Sequence, residues 1–138
     1  MENYNLEKDI KVFCITAKSF PEGVLEAHQS LHSLVPYSSD RKYFGISRPE
    51  NGVIIYKSAA EELEKGELSK HGLEEFIIKK GNYISIVIKD FMKNIPAIGN
   101  TFKELTAHKG IDPNGYCIEL YKNDDELRCM VKLAKNSN

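Results

Sequence analysis

The sequence predicts an α+β domain: duplicated β-α-β-β units forming one antiparallel sheet with both helices on one face. Three observations predict it. Two segments with helical spacing of apolar residues, near 24–35 and 95–105, each follow a strand-like segment. Each is followed by two more strand-like segments joined by turn residues. Each helix carries its apolar residues on one side only, so each needs a sheet to bury them.

The elements follow in order. Residues 11–17 form the first strand, with Val12, Phe13, Cys14 and Ile15 in its middle. Ser19, Pro21 and Glu22 read as a helix start, with a serine followed three residues later by glutamate and proline in the first turn. Val24, Ala27, Leu31, Leu34 and Val35 then make one stripe, and Pro36 ends the helix. Residues 42–47 are a strand, Pro49-Glu50-Asn51-Gly52 turns the chain, and residues 53–57 return it. Residues 59–73 are rich in charge and read as a solvated linker between the halves. Residues 75–79, the Lys80-Gly81-Asn82 turn and residues 83–89 then make a ribbon that opens the second half. Asn94 caps a helix with Pro96 in its first turn, striped by Ile95, Ile98, Phe102 and Leu105, with Gly110 as its stop. Asp112-Pro113-Asn114-Gly115 turns into a strand at 116–122. Asn123-Asp124-Asp125 turns again into a strand at 127–133, and the polar tail 134–138 frays. One domain over 1–138 is expected, with half 1 at about 10–58, the linker at 59–73 and half 2 at about 74–134.

Composition narrows the function classes. The 138 residues are 41% hydrophobic and 28% charged, an ordinary globular balance. Lys plus Arg number 19 against 20 for Asp plus Glu, so the basic excess of a dedicated nucleic-acid binder is absent. The expectation is no direct nucleic-acid contact. No apolar run reaches the ~18–20 residues of a membrane span, and the polar start is no secretory signal, so no membrane contact and a cytoplasmic location are expected. Three cysteines without such a signal read as reduced thiols. They show no Cys-x-x-Cys, and the four histidines are scattered, so neither metal nor cofactor is expected. His28 and His32 are four apart, but no third ligand is visible, and a helix-surface role is expected.

Alternation assigns the strand faces. Ile118 and Leu120 are purely apolar and are expected against the helices, which turns Cys117, Glu119 and Tyr121 to the other face. Ile84, Ile86 and Ile88 leave Tyr83, Ser85 and Val87 there, and Phe44 and Ile46 leave Tyr43, Gly45 and Ser47. Glu119 in the second half takes the slot that Gly45 holds in the first. A ligand floor of Glu119, Tyr121, Tyr83, Tyr43, Gly45, Cys117 and Val87 results. Phenol rings and a carboxylate suit a hydrophobic or cationic small molecule. A solvated glutamate and a tyrosine stripe that only packs are the plain alternatives.

These stretches together resemble a known family. Lys80-Gly81-Asn82-Tyr83, Tyr43-Phe44-Gly45-Ile46 with its hairpin, and Cys117-Ile118-Glu119-Leu120-Tyr121 are similar in order and spacing to motifs of the GyrI-like, or AraC-type, effector-binding domain of bacterial multidrug-sensing transcription regulators. The resemblance spans about residues 10–134. It implies a stand-alone small-molecule-binding domain with its cleft between two pseudo-repeats and Glu119 pairing with ligand charge beside Tyr121 and Tyr83. The chain departs from the family pattern in having no tryptophan, and in Arg128-Cys129-Met130-Val131-Lys132 where the family carries a further acidic residue. Two other readings stay open. One is a hydrolase with Glu119 as general base. The other is a protein-partner inhibitor module. A homodimer or a separate regulator protein stands open as partner.

Overall fold

In a computed structural model, which describes residues 1–122 and 125–135, the chain forms two compact units. One is contiguous, Asp9–Lys79. The other joins Met1–Lys8 to the chain from Lys80 onward. In chain order the elements are β1 (Glu2–Leu6), β2 (Ile10–Thr16), α1 (Val24–Leu34), β3 (Tyr43–Glu50), β4 (Val53–Glu61), β5 (Glu74–Ile78), β6 (Gly81–Lys89), α2 (Pro96–Thr106), β7 (Cys117–Tyr121) and β8 (Glu126–Lys132). The class is α+β, and every strand pair within each unit is antiparallel. Asn123, Asp124 and the tail residues 136–138 lie outside the described residues. Among those described, no helix is long and apolar enough to cross a membrane.

In the contiguous unit the strand order is β3-β4-β2-β5. Its hairpin turns on two residues, Asn51 at φ 54° and Gly52 at φ 81°, with Glu50 opposite Val53. Positive φ at both positions is the twist that a tight hairpin needs, and it confines the turn to Asn-Gly. Strand β3 therefore runs through Arg48, Pro49 and Glu50, three residues further than the sequence suggests. Helix α1 lies on β4 and β2 and buries Ala27, Leu31 and Val35, while Leu34 is exposed. Its start differs from expectation. Ser19 makes no side-chain cap; Gly23 is the cap residue, and a side chain there would meet the Ser19 backbone at 2.8 Å.

The expected solvated linker at 59–73 is corrected. Ala59 and Ala60 complete β4 inside the core, and Leu68 is buried with Phe13, Leu31, Val35 and Ala60. Small apolar residues amid a charge-rich stretch had masked a strand end. The ribbon is corrected too. Strand β5 pairs with β2, with Ile78 opposite Ile10 and Phe76 opposite Val12, and a Lys11–Glu75 ion pair at 2.9 Å accompanies the pairing. Residues 74–79 thus belong with the first repeat. Proximity along the chain had suggested β6 as partner, but β6 is already paired on both edges.

In the discontinuous unit the order is β1-β6-β8-β7. Strand β1 was not foreseen, because its polar sequence carries no strand pattern; β6 supplies the backbone partners, Glu2 to Ser85 through Leu6 to Gly81. Helix α2 packs on β8 and β6. Leu105 is fully buried and Ile98 and Phe102 join its cluster, whereas Ile95 is exposed. Asn94 does not cap α2, since Ile95 holds that position without a side-chain bond and Pro96 follows. The helix ends at Thr106, short of Gly110. The Asp112 turn forms as its residues dictate: Gly115 N–H donates to the Asp112 carbonyl at 3.0 Å, and Asn114 N–H to Asp112 Oδ1 at 2.9 Å.

Candidate functional site

Residues directly opposite each other in antiparallel strands share a face. Cys129 on β8 lies opposite Ile86 on one side and Glu119 on the other. Cys129 is packed with Leu105 of α2, Phe91, Leu127 and Val131, and Cys117 and Tyr121 join the same cluster. Cys117, Glu119 and Tyr121 therefore stand on the helix-bearing face. This reverses the expected orientation of β7, while β6 keeps it, with Ile84, Ile86 and Ile88 toward α2. The physical reason is that both faces of β7 are covered: Ile118 and Leu120, on the reverse face, are buried as well. A strand buried on both sides gives alternation nothing to discriminate.

Tyr83 and Val87 consequently part company with Glu119. They lie opposite Lys132 and Arg128 on the reverse face, where Tyr83, Ser85 and Met130 are also buried. Tyr43 and Gly45 belong to the other unit. Tyr43 packs in the α1 cluster, and Gly45 lies opposite Ser58, whose hydroxyl meets His28 of α1. The structure thus brings together Glu119, Tyr121 and Cys117, and separates Tyr83 and Val87 from them by the thickness of the sheet.

Glu119 lies opposite Cys129, a member of the apolar cluster. It is 8% exposed, and the Tyr121 hydroxyl donates to its Oε1 at 2.5 Å. The Tyr121 ring meets the Phe91 ring at 5.7 Å and 60°. Burial pushes the Cys117 thiol up to about 11 and the Cys129 thiol up to about 12, and the Glu119 carboxylate adds to both shifts. Neither is a nucleophile in this field. Cys129 and Phe91 are parts of the site that the sequence did not offer. Their only sequence signal is that an apolar residue must face Glu119 across a paired strand. Among the described residues no group of three or more His, Cys, Asp or Glu could hold a metal ion.

A second polar cluster lies in the contiguous unit. His28 Nδ1 and Ser58 Oγ are 2.6 Å apart, and His28 Nε2 and the Tyr56 hydroxyl 2.9 Å. The Phe20 ring stacks on Tyr56 at 5.9 Å. Burial, then His32, pulls the His28 imidazole down to about 4, so it is neutral near pH 7. This corrects the helix-surface expectation for His28, which borders Ala27 and Leu31 on α1. His32 is exposed, its ring 5.1 Å from that of Tyr43.

No family model matches the sequence, and no curated protein does. Solved structures match the fold. An integron cassette protein from the mobile metagenome of Vibrio cholerae has a TM-score of 0.71 at 10% identity, over 96% of this chain and 95% of that one. A hydrolase from Listeria innocua has a TM-score of 0.55 at 10% identity, over 96% and 90%. The protein SAV2435, solved bound to tetraphenylphosphonium, has a TM-score of 0.52 at 13% identity, over 96% and 94%. The fold is therefore one shared, along nearly the whole chain, with a structure that holds a small organic cation and with one named a hydrolase.

Proposed function

We propose that the chain is a small-molecule-binding domain of the effector-binding type, taking hydrophobic or cationic ligands, with Glu119 as charge partner and Tyr121 as its hydrogen-bonded neighbour. The observation that carries the reading is the carboxylate itself. A carboxylate that is 8% exposed is costly to take out of water, and such groups concentrate at functional sites. A desolvated carboxylate attracts an organic cation more strongly than a solvated one. The tetraphenylphosphonium complex of SAV2435 supports that ligand class. Tyr83 and Val87 drop out of the proposed contacts, and Cys117 remains as a small neutral neighbour.

Calorimetric titration with tetraphenylphosphonium at pH 7.5, on the protein and on Glu119→Gln, tests the reading. Saturable binding weakened at least about tenfold in the variant, a difference of about 1.4 kcal/mol, supports it. No binding, or equal binding by both forms, refutes it. The likeness to the Listeria innocua hydrolase motivates the second reading, with Glu119 as general base. Turnover of an activated ester that Glu119→Gln abolishes would favour the enzyme.

A further inference from the structure

Strand β5 pairs with β2 alone among the described residues and forms an edge of the sheet. Backbone groups along a strand point alternately to its two sides. The Ala17 N–H donates to the Tyr56 carbonyl at 2.8 Å, so Ala17, Ile15 and Phe13 turn their backbone toward β4, and Cys14, Val12 and Ile10 turn theirs toward β5. The residues opposite these, Glu74, Phe76 and Ile78, point back at β2. Glu75 and Ile77 therefore aim their N–H and carbonyl groups outward, and no backbone bond to either is found among the described residues.

Such an edge is a template for another strand. Neither proline nor a bulge guards it: the segment reads Glu74-Glu75-Phe76-Ile77-Ile78-Lys79, and it keeps one register along β2. That order is its own complement. Antiparallel pairing of two copies about Ile77 sets Glu75 opposite the second copy's Lys79, once at each end, and Phe76 opposite the second copy's Ile78. Pairing about Glu75 would set that carboxylate against itself. Pairing about Phe76 or Ile78 would set a charged side chain against Ile77. Glu75 already meets Lys11 at 2.9 Å, but its side chain is 51% exposed and a carboxylate accepts from more than one donor.

We propose that β5 joins the β5 of a second copy about a two-fold axis at Ile77, each Ile77 N–H donating to the other copy's Ile77 carbonyl. Every contact then occurs twice, as a closed dimer requires. The pairing uses no residue of the Glu119 setting, so the two proposals stand or fall separately.

Sedimentation equilibrium of the full chain, up to about 500 μM, tests the pairing. The expected result is a monomer–dimer equilibrium with a dissociation constant on the order of 100 μM or tighter. Hydrogen exchange at the Ile77 amide should slow as concentration rises. Ile77→Lys sets two ammoniums against each other on the axis and should weaken dimerisation at least about tenfold. Ile77→Pro removes an N–H that β2 does not use and should do the same; either variant decides if the other fails to fold. A monomer at every concentration would overturn the proposal and leave the edge to a strand of another protein. A dimer undiminished in a folded variant, or Ile77 exchange indifferent to concentration, would overturn it as well.

Discussion

Tyr121 and Glu119 stand two residues apart on β7, and the tyrosine hydroxyl donates to the carboxylate at 2.5 Å on the face that carries Phe91, Cys129 and α2. The contact separates two roles that one buried carboxylate could have. A carboxylate kept for stability would be missed by the fold; one kept for a ligand would not. Glu119→Leu should leave stability unchanged or raise it, since apolar replacement of buried charge is often neutral or favourable. Tyr121→Phe removes a donor from a buried acceptor and should cost about 1–2 kcal/mol. Urea denaturation of the two variants checks this. A Glu119→Leu loss of several kcal/mol would make the glutamate structural.

Arg41 and Glu67 form the opposite kind of pair. The guanidinium donates to both carboxylate oxygens, at 3.0 and 2.7 Å, and to the Glu61 carbonyl at 2.7 Å, tying residues 59–73 to the start of β3. The Arg41 side chain is 2% exposed and that of Glu67 26%. Glu67→Ala should destabilise by about 2–3 kcal/mol, less than the ~3–5 of a fully enclosed pair because Glu67 meets water. The Arg41 hydrogen bonds hold the Glu67 carboxyl at about 2, below its ordinary 4.5. A depressed folded-state value means that the contribution is complete above 4.5 and drains away as pH falls toward 2. Melts of the protein and of Glu67→Ala should therefore converge across that window.

His28 works in a higher range. Its value falls from an ordinary 6.5 to about 4 on folding, so the unfolded chain binds the proton first. Stability should be full above 6.5 and decline as pH drops to about 4, with no further loss from this group below. The partners Ser58 and Tyr56 and the neighbouring His32 are among the groups that face it. His28→Asn should flatten the slope of unfolding free energy between pH 6.5 and 4. An unchanged slope in a folded variant would assign the dependence elsewhere.

Burial pushes all three thiols up, Cys14 and Cys129 to about 12 and Cys117 to about 11. Ellman's reagent at pH 7.5 should label the native protein slowly and release three equivalents in guanidinium. Fast labelling of one thiol in the native state would contradict the packing around it.

The helices were legible because each buries one stripe, and Ala27, Leu31 and Leu105 lie where that spacing puts them. The hairpin was legible because Asn51-Gly52 admits few other conformations. Orientation of β7 was not. With Ile118 and Leu120 buried on one side and Cys117, Glu119 and Tyr121 covered on the other, alternation says only that neighbours point apart. The pairing of β5 with β2 was equally hidden, because partner choice depends on which edge is left open. Glu119 and Tyr121 were found together for that same local reason, since i and i+2 always share a face. Tyr83 was lost because its side depended on the orientation of another strand.

The pairing of Glu2 with Ser85 links segments more than half the sequence apart. On the ribosome, Asp9–Lys79 emerges as an uninterrupted stretch and is free to condense early. Residues 1–8 must wait, already synthesised, for β6 to arrive. Removing those eight residues would bare the outer backbone of β6, inviting edge-to-edge association with another molecule.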